Sequence, residues 1–170
     1  MRAALLVGIW LVACGEPQWH ATSAPRAERS LYSYPWVWTD DQGQSVQLSR
    51  WRGTPLVVTA VYTACVDTCP RTLAKLRALS DQYAREGQRA EFVVVTLDPS
   101  QDGPAELRSY RAKHQLPPAW HLLRGGEQQT AQLGGMLDVH PMAMDAHLVH
   151  ESRIIVFDAS GVSSAVLDVL

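Results

Sequence analysis

The sequence predicts a single α/β domain in which a central mixed sheet is flanked by helices. Three observations predict it: two buried apolar strands, an amphipathic helix between them, and a later apolar strand that ends in a turn. The chain has 170 residues, 46% of them hydrophobic, which is enough for one compact domain with a sizeable core.

The first residues have the pattern of an export signal. Arg2 precedes an unbroken apolar run of eleven residues over 3–13, whereas a membrane-spanning helix needs about twenty. The run ends in the letters LVAC at Cys14, which resemble the lipobox of bacterial lipoproteins. We expect 1–13 to be a lipoprotein signal peptide and Cys14 to carry the lipid. An ordinary signal peptide with an incidental cysteine, or a buried N-terminal strand, is the alternative.

Residues 14–31 show neither a helical nor a strand period, so we expect a tether there and the folded domain over 32–170. Fifteen Lys and Arg against seventeen Asp and Glu give a net charge of −2. This balance excludes nucleic-acid binding through a concentrated basic surface and a polybasic membrane-surface protein. Contact with a membrane is therefore expected through the lipid on Cys14.

The domain begins with a predicted hairpin, in which strands over 34–38 and 45–48 flank turn-forming residues. The β-branched run over 55–62 is continuous, as is typical of a strand that is covered on both faces. Leucines at spacings of three and four predict an amphipathic helix over 70–86, and Gly87 ends it.

The second half of the chain continues the alternation. A second buried strand is predicted over 92–97, and helical stretches follow at about 104–115 and 127–137. Residues 154–157 form another apolar strand, and 158–161 are a turn. This order of strands and helices predicts helices on both faces of the sheet.

Two cysteines lie between the first buried strand and the first long helix. Cys65 and Cys69 precede Pro70, and proline suits the first turn of a helix. The helix N-terminus favours an anion, so we expect increased thiolate character in both cysteines. A disulfide closing five residues would contribute only about 2 kcal/mol to the stability of the fold, so a purely structural role would bring little. In an oxidising compartment the pair is a disulfide or a metal site held reduced, and two inert core cysteines are the alternative.

His150 is the best of the six histidines for completing a metal site. It leads into the strand over 154–157, and residues just ahead of that strand can approach the sheet edge where the cysteines lie. A single histidine is also commonly structural or solvated, so its spacing alone leaves both interpretations open.

Four motifs, in the right order over about residues 34–162, resemble the Sco/SenC copper proteins. They are TACVDTCP over 63–70, VTLDP over 95–99 with the following DGP over 102–104, WHLLRG over 120–125, and His150 placed eleven residues before Gly161. Two positions depart from the family pattern. Val66 stands where proline is usual, which changes loop stiffness, and Val149 stands where a polar residue often orients the imidazole.

The resemblance implies a thioredoxin-like fold that binds copper, as Cu(I) or Cu(II), through Cys65, Cys69 and His150. Such proteins help assemble the dinuclear copper A centre of cytochrome c oxidase, as copper donors, as thiol reductants or as both. Two thiolates and an imidazole form a soft ligand set that suits copper. The same ligands would also accept zinc with a bound water.

Two classes of function therefore stay open. The first is a metallochaperone, whose partner is the oxidase subunit carrying the copper A site or another copper enzyme. The second is a membrane-tethered thiol–disulfide oxidoreductase, in which Cys65 and Cys69 are a redox pair that reduces cysteines of a partner. The copper site needs His150 and the redox pair does not. For either function, the protein is expected in the bacterial cell envelope, lipid-anchored on the periplasmic or extracytoplasmic face.

Further soft or intermediate ligands lie just ahead of His150, within eight residues: His140, Met142, Met144 and His147. A surface loop with its methionines packed down would explain them. The functional alternative is a transfer site that passes copper to or from the main ligands.

Overall fold

The computed structural model describes residues 30–66, 68–139 and 153–169, together with the backbone of 142–144 and 147–149. The predicted signal peptide, most of the tether and several predicted site residues lie outside these ranges, namely Cys14, His140 and His150. For Met142, Met144 and His147 the backbone alone is described.

Seven strands form one mixed sheet in the described part of the chain. They are β1 (Trp38–Asp40), β2 (Ser45–Val46), β3 (Leu56–Val61), β4 (Glu91–Thr96), β5 (His121–Arg124), β8 (Arg153–Phe157) and β9 (Ser163–Asp168). Their order across the sheet is β2-β1-β5-β4-β3-β8-β9. The central strands β3, β4 and β5 are parallel, whereas β1 and β8 pair with them antiparallel. The predicted mixed sheet is confirmed.

Three α-helices accompany the sheet: α1 (Thr68–Arg85), α2 (Pro104–Lys113) and α3 (Glu127–Met136). Short 3-10 helices also lie at Leu31–Ser33 and Leu48–Trp51. All three predicted helical stretches are confirmed. The first begins two residues before Pro70, so Cys69 lies inside its first turn. None of the helices in the described ranges has the length and apolar character that crossing a membrane requires.

Three details differ from the sequence prediction. The first hairpin strand begins at Trp38 instead of residue 34, because Tyr34 and Trp36 stack on each other, with ring centroids 4.3 Å apart, outside the sheet. Strand β5 was not predicted, since four residues are too short a run to show a period. The predicted loop ahead of His150 contains two short antiparallel strands, β6 (Met142–Met144) and β7 (His147–Val149).

The sheet separates two apolar clusters, because alternate residues of a strand point to opposite faces. Val58 and Val93 belong to the cluster that contains Trp36, Trp38 and Leu133. The cluster on the other face contains Val57 of β3 and Val94 of β4 together with the two cysteines. It also contains buried apolar side chains of α1 and α2, namely Leu73, Leu76, Leu107 and Tyr110. The predicted placement of helices on both faces is therefore confirmed, and the cysteines belong to one face.

Candidate functional site

The two predicted cysteines come together where β3 gives way to α1. After β3 the chain turns, and the backbone N–H of Cys65 donates to the carbonyl of Tyr62 at 3.1 Å. The Cys65 Sγ in turn accepts the backbone N–H of Cys69 at 3.2 Å. The first N–H groups of a helix have no partner within the helix, so this sulfur satisfies one of them. A cysteine takes the place that a capping serine or aspartate usually occupies.

Both sulfurs are unbridged and buried behind an exposed loop tip. Cys65 is 3% exposed and Cys69 is 0% exposed, and neither forms a disulfide. Val66, which stands between them in the chain, is 81% exposed. The Thr68 hydroxyl lies 3.4 Å from the Cys65 Sγ. A ligand or partner therefore meets the loop first, and the thiols lie directly underneath it.

Burial decides the protonation of Cys69. Desolvation raises the pKa of this thiol well above its usual value, the interaction with Cys65 raises it further, and the Tyr62 backbone opposes the shift in part. The expectation of increased thiolate character at the helix N-terminus is therefore wrong for Cys69. The helix end does favour an anion, but removing a charged sulfur from water is the larger effect at this position.

Burial and the two cysteines shift the pKa of two tyrosines, Tyr62 and Tyr110, of which the second follows the VTLDP and DGP motifs of the family resemblance. Burial raises the pKa of Tyr62 to about 12, and the charge of Cys65 and a hydrogen bond with it contribute next. Burial also raises the pKa of Tyr110, followed by the charges of Cys69 and Cys65. The Tyr110 hydroxyl makes no hydrogen bond of normal geometry with any described residue. Helical spacing from Leu107 marks Tyr110 as a core residue, but no sequence signal connects it to a cysteine.

A buried carboxylate holds the loop from below. Asp102 is 1% exposed and accepts the backbone N–H of Thr63 at 3.0 Å. It also accepts the hydroxyls of Thr63 and Thr96. These bonds connect the ends of β3 and β4 with the start of α2, and they fix the chain two residues before Cys65. Asp102 belongs to a motif noted in the sequence. Its position under the loop between β3 and α1 that carries Cys65, called the thiol loop below, depends on the fold.

The third predicted ligand, His150, lies outside the described residues, as do the lipidation site Cys14 and the side chains of the histidine- and methionine-rich segment. No cluster of three or more His, Cys, Asp or Glu side chains able to hold a metal ion is formed within the described ranges. His121 pairs with Glu91 at 2.8 Å, at the end of β4 away from the cysteines. The described part of the site thus supplies two soft thiol ligands.

Comparison with known proteins gives a family match over most of the chain. The family model SCO1/SenC matches residues 24–169. A candidate copper-binding protein of Stutzerimonas stutzeri is 33% identical over 86 residues, 49% of this chain. The chain spans less than two thirds of the length of the curated relatives it matches, 40% in this case.

Solved structures share the fold. A SCO1/SenC family lipoprotein from Bacillus anthracis superimposes with a TM-score of 0.75 at 18% identity, over 88% of this chain and 90% of that one. BsSco, described as a member of the Sco family of cytochrome c oxidase assembly proteins in which a disulfide switch was identified, gives 0.72 at 16% identity, over 86% and 87%. These similarities confirm the predicted thioredoxin-like fold.

Proposed function

The chain belongs to the SCO1/SenC family, and from that premise we propose that it is a copper-binding metallochaperone that assists assembly of the dinuclear copper A centre of cytochrome c oxidase. The observation that carries the proposal is the pair of cysteines at the start of α1, neither of which forms a disulfide and which are joined by the hydrogen bond from the Cys69 backbone N–H to the Cys65 Sγ. Thiolate sulfur is a soft ligand that selects Cu(I) over harder cations. The copper-binding description of one relative supports the same cargo.

We assign the copper ligands as Cys65, Cys69 and His150. Strand β8 begins at Arg153 and runs antiparallel to β3, and the Thr59 hydroxyl donates to the Arg153 carbonyl at 2.7 Å. The start of β8 therefore lies near the end of β3 from which the thiol loop departs. His150 precedes Arg153 by three residues, which is at most about 10 Å of extended chain. This distance supports an imidazole that reaches the thiols.

Copper ligation needs both cysteines reduced, because binding replaces the thiol protons with the metal and a disulfide sulfur has no anionic form. Because Cys65 Sγ already contacts the Cys69 backbone, the loop holds the two thiols in one place before a metal arrives. This fits a site that receives a soft cation and releases it again.

The second candidate function is thiol–disulfide exchange with a partner. The two Cys65 and Cys69 thiols would give two electrons and two protons to a partner disulfide, leaving a Cys65–Cys69 disulfide and a partner dithiol. Their proximity in the helix-capping loop favours this candidate, as does the disulfide switch described for BsSco. Exchange requires no histidine.

An anaerobic Cu(I) titration of the reduced protein tests the main proposal. Cys65→Ala and Cys69→Ala are expected to abolish tight binding, and His150→Ala to weaken it while thiol oxidation still occurs. His121→Gln, which alters a histidine bonded to Glu91, is the matched control and should bind like the wild type. If His150→Ala still supports oxidase assembly in cells, thiol reduction is the function. Equal copper affinity of the oxidised and reduced proteins would refute the site.

We further propose that the protein is exported, begins at lipidated Cys14 after removal of 1–13, and is anchored on the extracytoplasmic face of a membrane. The lipobox-like end of the apolar run supports this, as does the lipoprotein among the structural relatives. Mass spectrometry of the native N-terminus should find acyl chains on Cys14. Recovery of the protein in the soluble fraction of the cell, with no change in Cys14→Ser, would contradict the anchor.

The segment ahead of His150 is proposed as a copper transfer site. Its strand register pairs Met144 with His147, so one sulfur-bearing and one nitrogen-bearing residue occupy facing positions of β6 and β7, whereas Met142 faces Val149. Replacing Met142 and Met144 together by Leu should slow copper transfer to an acceptor without abolishing binding. Unchanged transfer kinetics would leave these methionines with a packing role.

A further inference from the structure

The loop that covers the two thiols exposes an apolar side chain. Two large hydrophobic side chains are exposed within the described ranges, Val66 at 81% and Val37 at 50%. A single exposed valine on a protein surface needs no explanation by itself. Val66, however, follows Cys65 directly, and the Cys65 side chain is 3% exposed. A macromolecule that approaches the buried thiols therefore meets Val66 first.

The exposed neighbours of Val66 extend this apolar surface. They are Ala64, Pro70 and Ala74, and together with Val66 they are called the thiol face below. The hydrogen bond from the Cys69 backbone N–H to the Cys65 Sγ, at 3.2 Å, holds the thiol loop against the first turn of α1. Ala74 lies one helical turn after Pro70, on the same side of the helix. Loop and helix thus present one apolar surface above the thiols.

The thiol face is held in shape from inside the fold. Thr63 donates its backbone N–H to the buried Asp102 carboxylate at 3.0 Å. The backbone N–H of Cys65 donates to the Tyr62 carbonyl at 3.1 Å. A surface that is ordered before binding loses little conformational entropy when a partner arrives. This lowers the cost of docking a partner on Val66.

The helix beside the thiol face carries positive charge near the end where a helix favours negative charge. Residues 68–80 contain three basic side chains and no acidic one, and Asp67 just ahead of the helix offsets one of the three charges. Arg77 is committed to the fold, because it donates to two backbone carbonyls after α2. Arg71 and Lys75 are four residues apart, so they share one side of the helix, where like charges repel. Carboxylates of a partner would offset this local cost.

We propose that the thiol face is the docking surface for the acceptor protein, with Val66 seated in an apolar recess of the acceptor and with Arg71 and Lys75 facing acceptor carboxylates. An apolar centre with a polar, charged rim is the usual anatomy of a protein–protein interface. The inference rests on the proposed function for the identity of the acceptor, the copper A domain of cytochrome c oxidase. Docking in this way brings the acceptor site over the two thiols.

An NMR titration of the ¹⁵N-labelled, reduced protein with the soluble copper A domain tests the surface. Chemical-shift changes should concentrate on residues 64–75, and the signal of Val37 should stay unmoved. An absence of changes, or changes confined to other surfaces, would overturn the inference. A wild type that binds the domain through residues 64–75 but transfers no copper to it would refute the proposed function and support the docking surface.

Val66→Ala tests the apolar anchor. The variant should raise the dissociation constant of the domain about tenfold, because two methyl groups are lost from the contact, and copper transfer should slow accordingly. Its reaction with DTNB, a small disulfide reagent that needs no docking surface, should match that of the wild type. Val37→Ala, which changes the other exposed valine, is the matched control and should bind the domain like the wild type. Equal affinities of Val66→Ala and the wild type, or a parallel loss of the DTNB rate, would overturn the anchor.

Arg71→Gln tests the charged rim. The variant should weaken docking about threefold at low salt and should make the affinity less dependent on salt, because one interfacial charge is lost. Arg85→Gln is the control, since Arg85 is exposed in the last turn of the same helix, about 21 Å along its axis. Equal salt dependence of Arg71→Gln and Arg85→Gln would overturn the rim.

Two other occupants of the thiol face would be recognised in the same experiments. Shifts of residues 64–75 that appear when the protein alone is concentrated would assign the face to a second copy of the chain. Binding to vesicles of anionic phosphatidylglycerol that is lost in Arg71→Gln would assign it to a membrane surface. Either result, without binding of the copper A domain, would overturn the inference.

Discussion

Two buried aspartates, Asp41 and Asp102, are stabilised in opposite ways. Asp41 is 3% exposed and receives Nε and Nη2 of Arg111 at 2.6 and 3.1 Å. Asp102 is 1% exposed, and its hydrogen bonds come from uncharged groups of Thr63 and Thr96. The first carboxylate is paired with a cation, and the second is held by uncharged donors.

The difference follows from what each aspartate lies next to. Arg111 also donates to the carbonyls of Pro117 and Trp120, so the Asp41 pair ties the β1–β2 turn to α2 and to the chain before β5. Asp102 lies under the thiol loop, and its charge is felt at the Tyr110 hydroxyl. Hydroxyl donors hold the carboxylate without bringing a second cation to the place where a metal cation is proposed to bind. One pair stabilises the fold, and the other network positions the site.

Breaking the charged pair should give the largest effect. Arg111→Ala leaves the Asp41 carboxylate buried without its cation, which costs about 3 kcal/mol or more. Urea denaturation should show this loss, while the copper affinity of the folded variant stays unchanged. Arg108→Ala is the control because Arg108 donates to the Asp41 backbone carbonyl, at 2.8 Å, and not to its buried carboxylate among the bonds of the described residues. Equal losses in the two variants would contradict the importance of the pair.

Removing one donor from the uncharged network should have a smaller effect on stability but a visible one on the site. Thr96→Val deletes a hydroxyl that donates to Asp102 and accepts the backbone N–H of Asp98 at 3.0 Å. We expect a loss of about 2 kcal/mol in unfolding free energy and weaker copper binding. Thr130→Val removes a buried hydroxyl from α3, whose Leu133 packs on the other face of the sheet, and is the control. The network has no positioning role if both variants bind copper equally well.

The charge of Asp102 can be removed while its shape is kept. In Asp102→Asn the threonine hydroxyls can reverse from donor to acceptor, so the loss of stability should be about 1 kcal/mol or less. Asp41→Asn should lose more, because Arg111 is left without a counter-charge. Denaturation of the two variants side by side measures the contrast. A larger loss in Asp102→Asn would mean that the carboxylate charge itself holds the loop.

Helix α2 carries Arg111 and Tyr110, and His114 is its C-cap residue, so the stability of this helix affects both regions. Burial lowers the pKa of His114 below 6.5, and the charges of Lys113 and Arg77 lower it further. The contribution of the neutral imidazole is fully present above pH 6.5 and is lost as the pH falls through the lower folded pKa. The free energy of unfolding, measured at several pH values between pH 7.5 and pH 5, should therefore depend less on pH in His114→Gln than in the wild type. A variant as acid-sensitive as the wild type would exclude His114 as a cause.

Much of the fold follows from local patterns in the chain. The apolar runs of β3, β4 and β8 and the leucine spacing of α1 depend on residues close in sequence, and each predicted element is present. The junction of strand and helix is equally local, so the sequence alone predicts that Cys65 and Cys69 lie at a helix start. The family motifs are also contiguous, so the family could be named from them. The positions of Cys14 and His150 stay predictions.

The tertiary structure alone decided what surrounds the two thiols. Asp102 meets Thr63 across 39 residues of chain, a separation over which no spacing rule applies. The protonation of Cys69 shows the reason most clearly. Its place at a helix N-terminus is a local feature and favours a thiolate, but segments distant in sequence cover it completely and favour the neutral thiol. Desolvation depends on every group that packs around a side chain, and that set is fixed only when the chain folds.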